Sequence, residues 1–255
     1  MLLRLSSLPL LLRMLSSPSA SSQLQRASRP HSPPLAASGV FAMILYGSSP
    51  SPYVRKVLAV AAEKGIELEL KRTGFPEFSP DFVKASPFRK MPALRDGDYA
   101  LADSSAIIHY LEAKYPDNPL IPADPRLKGK AIWFEEFADT ILVACGVKIF
   151  FNRIVGPRFM GRTCDEEAVQ TAERDELPPV LSYLESVAPA EGGYLVGDRL
   201  TLADIAVACP FVNFLHTQTK VDPERYPRTV AYVESILARP SFAPLIERET
   251  AMLAT

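Results

Sequence analysis

The sequence predicts a small α/β domain joined to an all-helical one. Three observations carry that prediction. From Met43 to Tyr115 the apolar period switches between that of a strand and that of a helix, in the order βαβ(α)ββα. The stretch Tyr115–Pro125 then holds four prolines in eleven residues and reads as a linker. Beyond it the apolar pattern is helical throughout. The expected division is a leader over 1–42, a first domain over 43–118, a linker over 119–126 and a helical domain over 127–255.

Each element has its own signal. Met43–Tyr46 is a short apolar run, expected to be a strand. Ser51–Gly65 is expected to be a helix, with Val54, Val57, Leu58 and Ala61 on its apolar face and Gly65 as its C-cap. Ile66–Lys71 alternates as a strand should, and Ser79–Ala85 is a short helix or turn. Met91–Arg95 and Tyr99–Leu101 flank Asp96-Gly97, a hairpin signal. Asp103–Tyr115 is expected to be a helix with Ile107, Ile108, Leu111 and Tyr115 on one face. Arg126–Ile154, Asp165–Val187, Thr201–Leu215, Tyr226–Ala238 and Ser241–Met252 follow as helices. Pro178-Pro179 is expected to break the second of these near Leu177. Pro210 is expected to kink the third.

The 255 residues are 47% apolar and 22% charged, which are globular values. Net charge is −1, but residues 1–42 hold four Arg and no acid. The remainder therefore has 28−4=24 bases against 29 acids, a net of −5. A mildly acidic body argues against nucleic acid as a partner. Three cysteines, far apart and without a CxxC pair, together with three His, give no metal-ligand spacing. They read as free thiols of a reducing compartment. No apolar run has the ~20 residues that cross a membrane.

Residues 1–42 are rich in Ser, Leu, Pro and Arg, and the first acid of the whole chain is Glu63. That composition is the pattern of an organelle transit peptide. It is equally the pattern of a spurious extension upstream of a true start at Met43. A secretory signal is the weaker third reading, because Arg13 interrupts Leu8–Leu12. The expected location is the cytoplasm if translation starts at Met43, and a mitochondrion or other organelle if the leader is real.

The richest stretch for chemistry runs from Met43 to Val57. An apolar strand ends at Tyr46-Gly47, a Ser/Pro turn follows, and a helix opens at Ser51. Strand, turn and helix in this order place a hydroxyl and free backbone N–H groups at a positive helix end. That geometry suits a phosphate, a carboxylate or a thiolate. On this motif alone Ser51 reads first as an ordinary N-cap with Pro52 after it, a common start for any helix.

Four pieces in order carry a resemblance: Ser51-Pro-Tyr-Val-Arg-Lys-Val57, Lys90-Met-Pro-Ala-Leu94, Asp103-Ser-Ser-Ala-Ile107 and Tyr194-Leu-Val-Gly-Asp-Arg-Leu-Thr-Leu-Ala-Asp-Ile205. Together they make residues 43–255 similar to the glutathione S-transferases, of serine type. The resemblance implies a thioredoxin-like first domain that binds glutathione as co-substrate, and a helical second domain that walls the site for a small apolar electrophile. It implies Ser51 as the catalytic hydroxyl, donating to the glutathione sulfur. Tyr46, Ser48 and Ser49 are its rivals in the same turn. A free thiol has a pKa of about 8.5, and lowering it by two units takes about 2.7 kcal/mol.

The resemblance also implies that Met91 and Pro92 offer strand backbone to the peptide, with Lys90 meeting a ligand carboxylate. Asp103 and Ser104 would hold the γ-glutamyl end. Asp103 is shorter than the Glu or Gln the family often has there. No metal and no membrane is implied, and a homodimer is. Two further readings stand beside conjugation. One is glutathione-dependent isomerisation or dehalogenation on the same fold. The other is a non-catalytic binding module, which retention of Ser51, Pro92, Asp103 and Ser104 weighs against.

Overall fold

A computed structural model describes residues 43–74, 78–189 and 192–254. The expectations for the leader at 1–42 lie outside the described residues.

The chain opens with β1 (Met43–Gly47), α1 (Pro52–Lys64), β2 (Leu68–Arg72), α2 (Pro80–Ala85), β3 (Ala93–Asp96), β4 (Tyr99–Ala102) and α3 (Ser104–Lys114). The sheet order is β2-β1-β3-β4. β1 runs parallel to β2 and antiparallel to β3, and β3 pairs antiparallel with β4. This is the α/β order that the sequence pattern predicts, in the thioredoxin-like arrangement that the resemblance implies.

Two strands begin two residues later than their apolar pattern does, each for a local reason. Gly65 takes a left-handed φ of 67°, and the Ile66 N–H reaches back to Ala61 O at 2.8 Å. Ile66 thus closes the end of α1 and is not free to start β2. Pro92, in a cis peptide with Met91, has no N–H for a ladder, so β3 starts at Ala93. The hairpin forms with Asp96 paired to Tyr99, Gly97-Asp98 between them and Gly97 at φ 62°.

The rest is helical. The first long helix runs as α4 (Pro125–Glu136), a π segment (Phe137–Leu142), α5 (Val143–Phe150), a second π segment (Phe151–Val155) and α6 (Gly156–Phe159). Then come α7 (Glu166–Thr171), a π segment (Ala172–Glu176), α8 (Leu177–Val187), α9 (Leu202–Thr217), α10 (Pro227–Leu237) and α11 (Ala243–Ala254). The expected break at Pro178-Pro179 does not occur. The π segment just before Leu177 resets the hydrogen-bond register, so both prolines fall in the first turn of α8, where a missing N–H costs little.

Nearly every residue of α9 is buried, Pro210 included. It packs against α1, α4 and α5, and one continuous apolar core joins it to Leu45, Val57, Ile107 and Phe137. The consequence for the site is that α1 is covered on both sides, by the sheet and by α9.

Candidate active site

The turn Ser48–Ser51 links β1 to α1. Gly47 sits at its start because the strand meets the helix closely there. A Cβ on Gly47 would lie 2.5 Å from Val54 Cγ2. The Ser51 N–H donates to Ser48 O at 3.0 Å, and the Arg55 N–H donates to Ser51 O at 2.9 Å. Ser51 is the N-cap by backbone geometry, with extended φ −68° and ψ 125°, yet its side chain makes no capping hydrogen bond. Its half-buried hydroxyl therefore stands at the positive end of α1 beside unpaired backbone N–H groups, available to an anion.

The rival hydroxyls are placed differently. Tyr46 is 2% exposed and lies on the opposite face of β1, in a small cluster with Ile44, Phe82, Ala85 and Ala93. Its ring sits 6.4 Å from that of Phe82, and its Oη is buried without a hydrogen-bond partner among the described residues. Ser49 is buried and Ser48 half-buried in the turn.

The other predicted positions converge from β3 and α3. The Asp103 N–H donates to Pro92 O at 3.3 Å, which brings the two motifs together. Asp103 is held at φ 81°, a left-handed backbone that a residue other than glycine keeps only when its surroundings impose it. Its carboxylate accepts from the N–H groups of Ser105 (2.9 Å) and Ala106 (3.1 Å), so it is the true N-cap of α3. Ser104 is buried, and its hydroxyl has no hydrogen-bond partner among the described residues. Lys90 is exposed, with its backbone clasped by Ser86 Oγ at 2.7 Å and 3.1 Å. Met91 is half-buried and Pro92 buried.

Two charged residues that belong to the site's framework escaped the sequence reading. Arg55 and Lys56, on α1, are 0% and 1% exposed. Lys56 Nζ lies 2.8 Å from Glu135 and 2.5 Å from Asp139 of the long helix, and 3.3 Å from Ser105 Oγ. Ser105 Oγ donates to Glu135 at 2.7 Å, and Tyr53 Oη to the Asp139 carbonyl at 2.9 Å. Burial alone would push the Lys56 pKa down. The carboxylates of Asp139 and Glu135 outweigh it and raise the pKa above its ordinary value. Burial, reinforced by Asp139, lifts the Tyr53 pKa. Arg55 pairs with Glu249 of α11 at 2.5 Å. Both residues sit on the side of α1 that periodicity assigns to solvent and that the helical domain in fact covers, with α9 and α11 over Arg55 and the long helix over Lys56. The only signal in the sequence was two adjacent cations on a helix, which is uninformative without their partners.

A small cavity adjoins the start of α1. It measures only about 20 Å³ and is lined by Pro52, Val143, Gly146, Val147, Phe150, Pro210 and Asn213, a mostly apolar wall that Ser51 itself does not line. A larger surface depression of about 290 Å³, from Pro122 to Leu127 and Val196 to Thr201, shares no residue with the predicted site. All three cysteines are free thiols, and burial pushes that of Cys209 up to about 12.

Comparison with known proteins agrees with this geometry. Residues 45–119 match the glutathione S-transferase N-terminal domain, and residues 158–249 match the glutathione S-transferase C-terminal domain. A glutathione S-transferase of Hyoscyamus muticus is 33% identical over 213 residues, covering 80% of this chain and 98% of that one. Glutathione S-transferase 3 of Zea mays is 32% identical over 209 residues, covering 78% and 90%. Among solved structures, glutathione S-transferase III in its apo form superposes with a TM-score of 0.69 at 30% identity, over 81% of this chain and 96% of that one. The two-domain architecture, the order of its motifs and these relatives establish that the chain belongs to the glutathione S-transferase family.

Proposed function

We propose that this transferase works through Ser51, whose hydroxyl donates a hydrogen bond to the sulfur of bound glutathione and keeps it as the thiolate. The observation that carries this reading is that the Ser51 side chain caps nothing, although it stands at the N-terminus of α1. A donor with no internal partner, next to a positive helix end, favours the anion over the thiol. The thiolate then attacks an electrophilic carbon, and the new carbon–sulfur bond replaces the bond to a leaving group such as halide, which departs with its electron pair. The side chains of Pro52, Val143, Val147 and Phe150 give the start of α1 an apolar flank, the chemistry that a small apolar substrate would meet, although the cavity between them is itself too small to hold one.

In this reading glutathione lies extended across the first domain. Its peptide backbone pairs beside Met91-Pro92, and Lys90 meets a carboxylate. The free Ser104 hydroxyl and the start of α3 take the γ-glutamyl carboxylate, while Asp103 takes its ammonium. The protein acts as a homodimer. Phe88, 88% exposed in the loop before β3, is the kind of side chain that a second copy would cover.

The test compares Ser51→Ala with Tyr46→Phe in glutathione-dependent turnover of an aromatic halide. Ser51→Ala lowers the rate at least tenfold, about 1.4 kcal/mol in the barrier. Tyr46→Phe does much less. The reverse ranking would overturn the assignment, and sedimentation of the pure protein as a monomer would overturn the dimer.

A further inference from the structure

Among the described residues Ser51 Oγ makes no hydrogen bond, so the backbone that carries it must set its position. That backbone is pinned on three sides. The Pro50 carbonyl accepts from Asn213 Nδ2 at 2.9 Å and from Arg55 Nη2 at 3.3 Å. At the other end of the same peptide plane, the Ser51 N–H donates to Ser48 O at 3.0 Å. The Ser51 carbonyl receives the Arg55 N–H at 2.9 Å. Both planar peptides flanking Ser51 are thereby held, which leaves only its side-chain torsion free.

The clamp on Pro50 is itself fully determined. Arg55 has five N–H donors, and all find acceptors. Nε faces both oxygens of Glu249 at 3.1 Å, Nη1 donates to Cys209 O at 2.7 Å and Asn213 Oδ1 at 2.8 Å, and Nη2 serves Glu249 Oε2 at 2.5 Å besides Pro50. His216 Nε2 approaches Glu249 Oε2 at 3.0 Å. Because the Asn213 oxygen faces the guanidinium, its amide nitrogen must face Pro50. Arg55 and Glu249 are both fully buried. A buried ion pair stabilises a fold little compared with apolar packing of the same volume. Its convergence on the one carbonyl preceding Ser51 is what calls for an explanation.

We propose that Arg55, Asn213 and Glu249 are positioning residues for the Ser51 hydroxyl. Two helices of the second domain, α9 and α11, lock the Pro50 carbonyl through Arg55 and Asn213 and so aim the hydroxyl at the glutathione sulfur. The proposal rests on the Ser51 reading above.

The test is Asn213→Asp, which keeps the oxygen facing Arg55 and removes the donor to Pro50. The thiol of bound glutathione is titrated by its ultraviolet thiolate absorbance, with no electrophile present, because Asn213 also lines the apolar cavity. The expected result is a rise of about one pKa unit, hence about tenfold less thiolate at neutral pH, with kcat recovering in alkali and the KM for glutathione little changed. Glu249→Gln moves the titration the same way. Arg55→Lys does not preserve the native value, since an ammonium cannot replace the fork. If Asn213→Asp fails to fold, Asn213→Ser removes both the donor to Pro50 and the acceptor for Arg55 without adding a charge, and should raise the thiol pKa at least as far. Folded variants that melt earlier but titrate and turn over like the parent would reduce the network to scaffolding and overturn the proposal. Ser51→Ala run alongside separates the two ideas. If it leaves the thiol unshifted, the Ser51 reading itself fails. If it shifts the thiol while Asn213→Asp does not, only the positioning role fails.

Discussion

Lys56 and Glu135 meet at 2.8 Å in the interior, each about 1% exposed, and join the first helix of the α/β domain to the first of the helical domain. Asp139, 2.5 Å from the same ammonium, completes a cluster of one cation and two anions. Such a cluster tolerates loss of its cation badly, because the carboxylates are then buried and face each other. Lys56→Met should cost about 3–5 kcal/mol and lower the melting temperature by roughly 10 °C. A loss below ~1 kcal/mol in denaturant unfolding would mean that the two acids reach water when the lysine is gone.

Gly47 is required by space. Its backbone has an ordinary conformation, but a methyl there would meet Val54 Cγ2 at 2.5 Å. Gly47→Ala should destabilise by about 1–3 kcal/mol. The double variant Gly47→Ala/Val54→Ala should recover part of that loss, because it opens the space that the methyl needs. Strict additivity in the cycle would show that the clash is relieved elsewhere.

Glu63, in the last turn of α1, accepts from Arg239 (2.8 and 2.9 Å) and from Ser241 Oγ (2.6 Å). Burial alone would raise its pKa, but these hydrogen bonds outweigh it and hold the carboxyl below its ordinary range. A depressed folded-state pKa contributes stability that is present above the unfolded value of about 4.3 and is lost as the pH falls through the folded one. Glu63→Gln should therefore cost about 1 kcal/mol at neutral pH and flatten the acid limb of the stability curve. A limb as steep as the parent's, followed by the denaturant midpoint down to acid, would assign the acid sensitivity to other carboxylates.

Asp204 gathers four donors in the core. Oδ1 accepts from Leu195 N and Tyr232 Oη, each at 2.8 Å, and Oδ2 from Thr201 N at 2.8 Å and Thr201 Oγ1 at 3.1 Å. Asp204→Ala should strand these donors and cost about 3 kcal/mol or more. Asp204→Asn keeps one acceptor oxygen and should recover some of it. Equal melting of the two variants would contradict this account.

The parts of the fold legible in the sequence are those that local chemistry dictates. Gly65 ends α1 because a left-handed residue is needed there, Asp103 and Ser79 start helices because their oxygens take free N–H groups, and Asp96-Gly97 makes the hairpin. Ser51 could be placed at the head of α1, but a sequence does not reveal that its hydroxyl stays unused as a cap. Arg55 and Lys56 read as a solvated face because helical periodicity identifies one buried side only. Their partners stand up to 194 residues away, so the second covering layer leaves no local trace. The π segments were equally hidden. They resolve a mismatch between long helices and their packing, and Pro178-Pro179 gave a sign of trouble without its remedy.

The contact between Arg55 and Glu249 also orders events during synthesis. A ribosome completes the sheet and α1 long before it adds α11, and until then the Arg55 guanidinium beneath the Ser48–Ser51 turn lacks the carboxylate of Glu249. The nascent first domain can acquire its topology early, yet the turn bearing Ser51 reaches its final setting only after the last helix arrives. If Ser51 acts as proposed, competence for catalysis is a late acquisition of the growing polypeptide, although Ser51 is among the first residues of the folded body to be made.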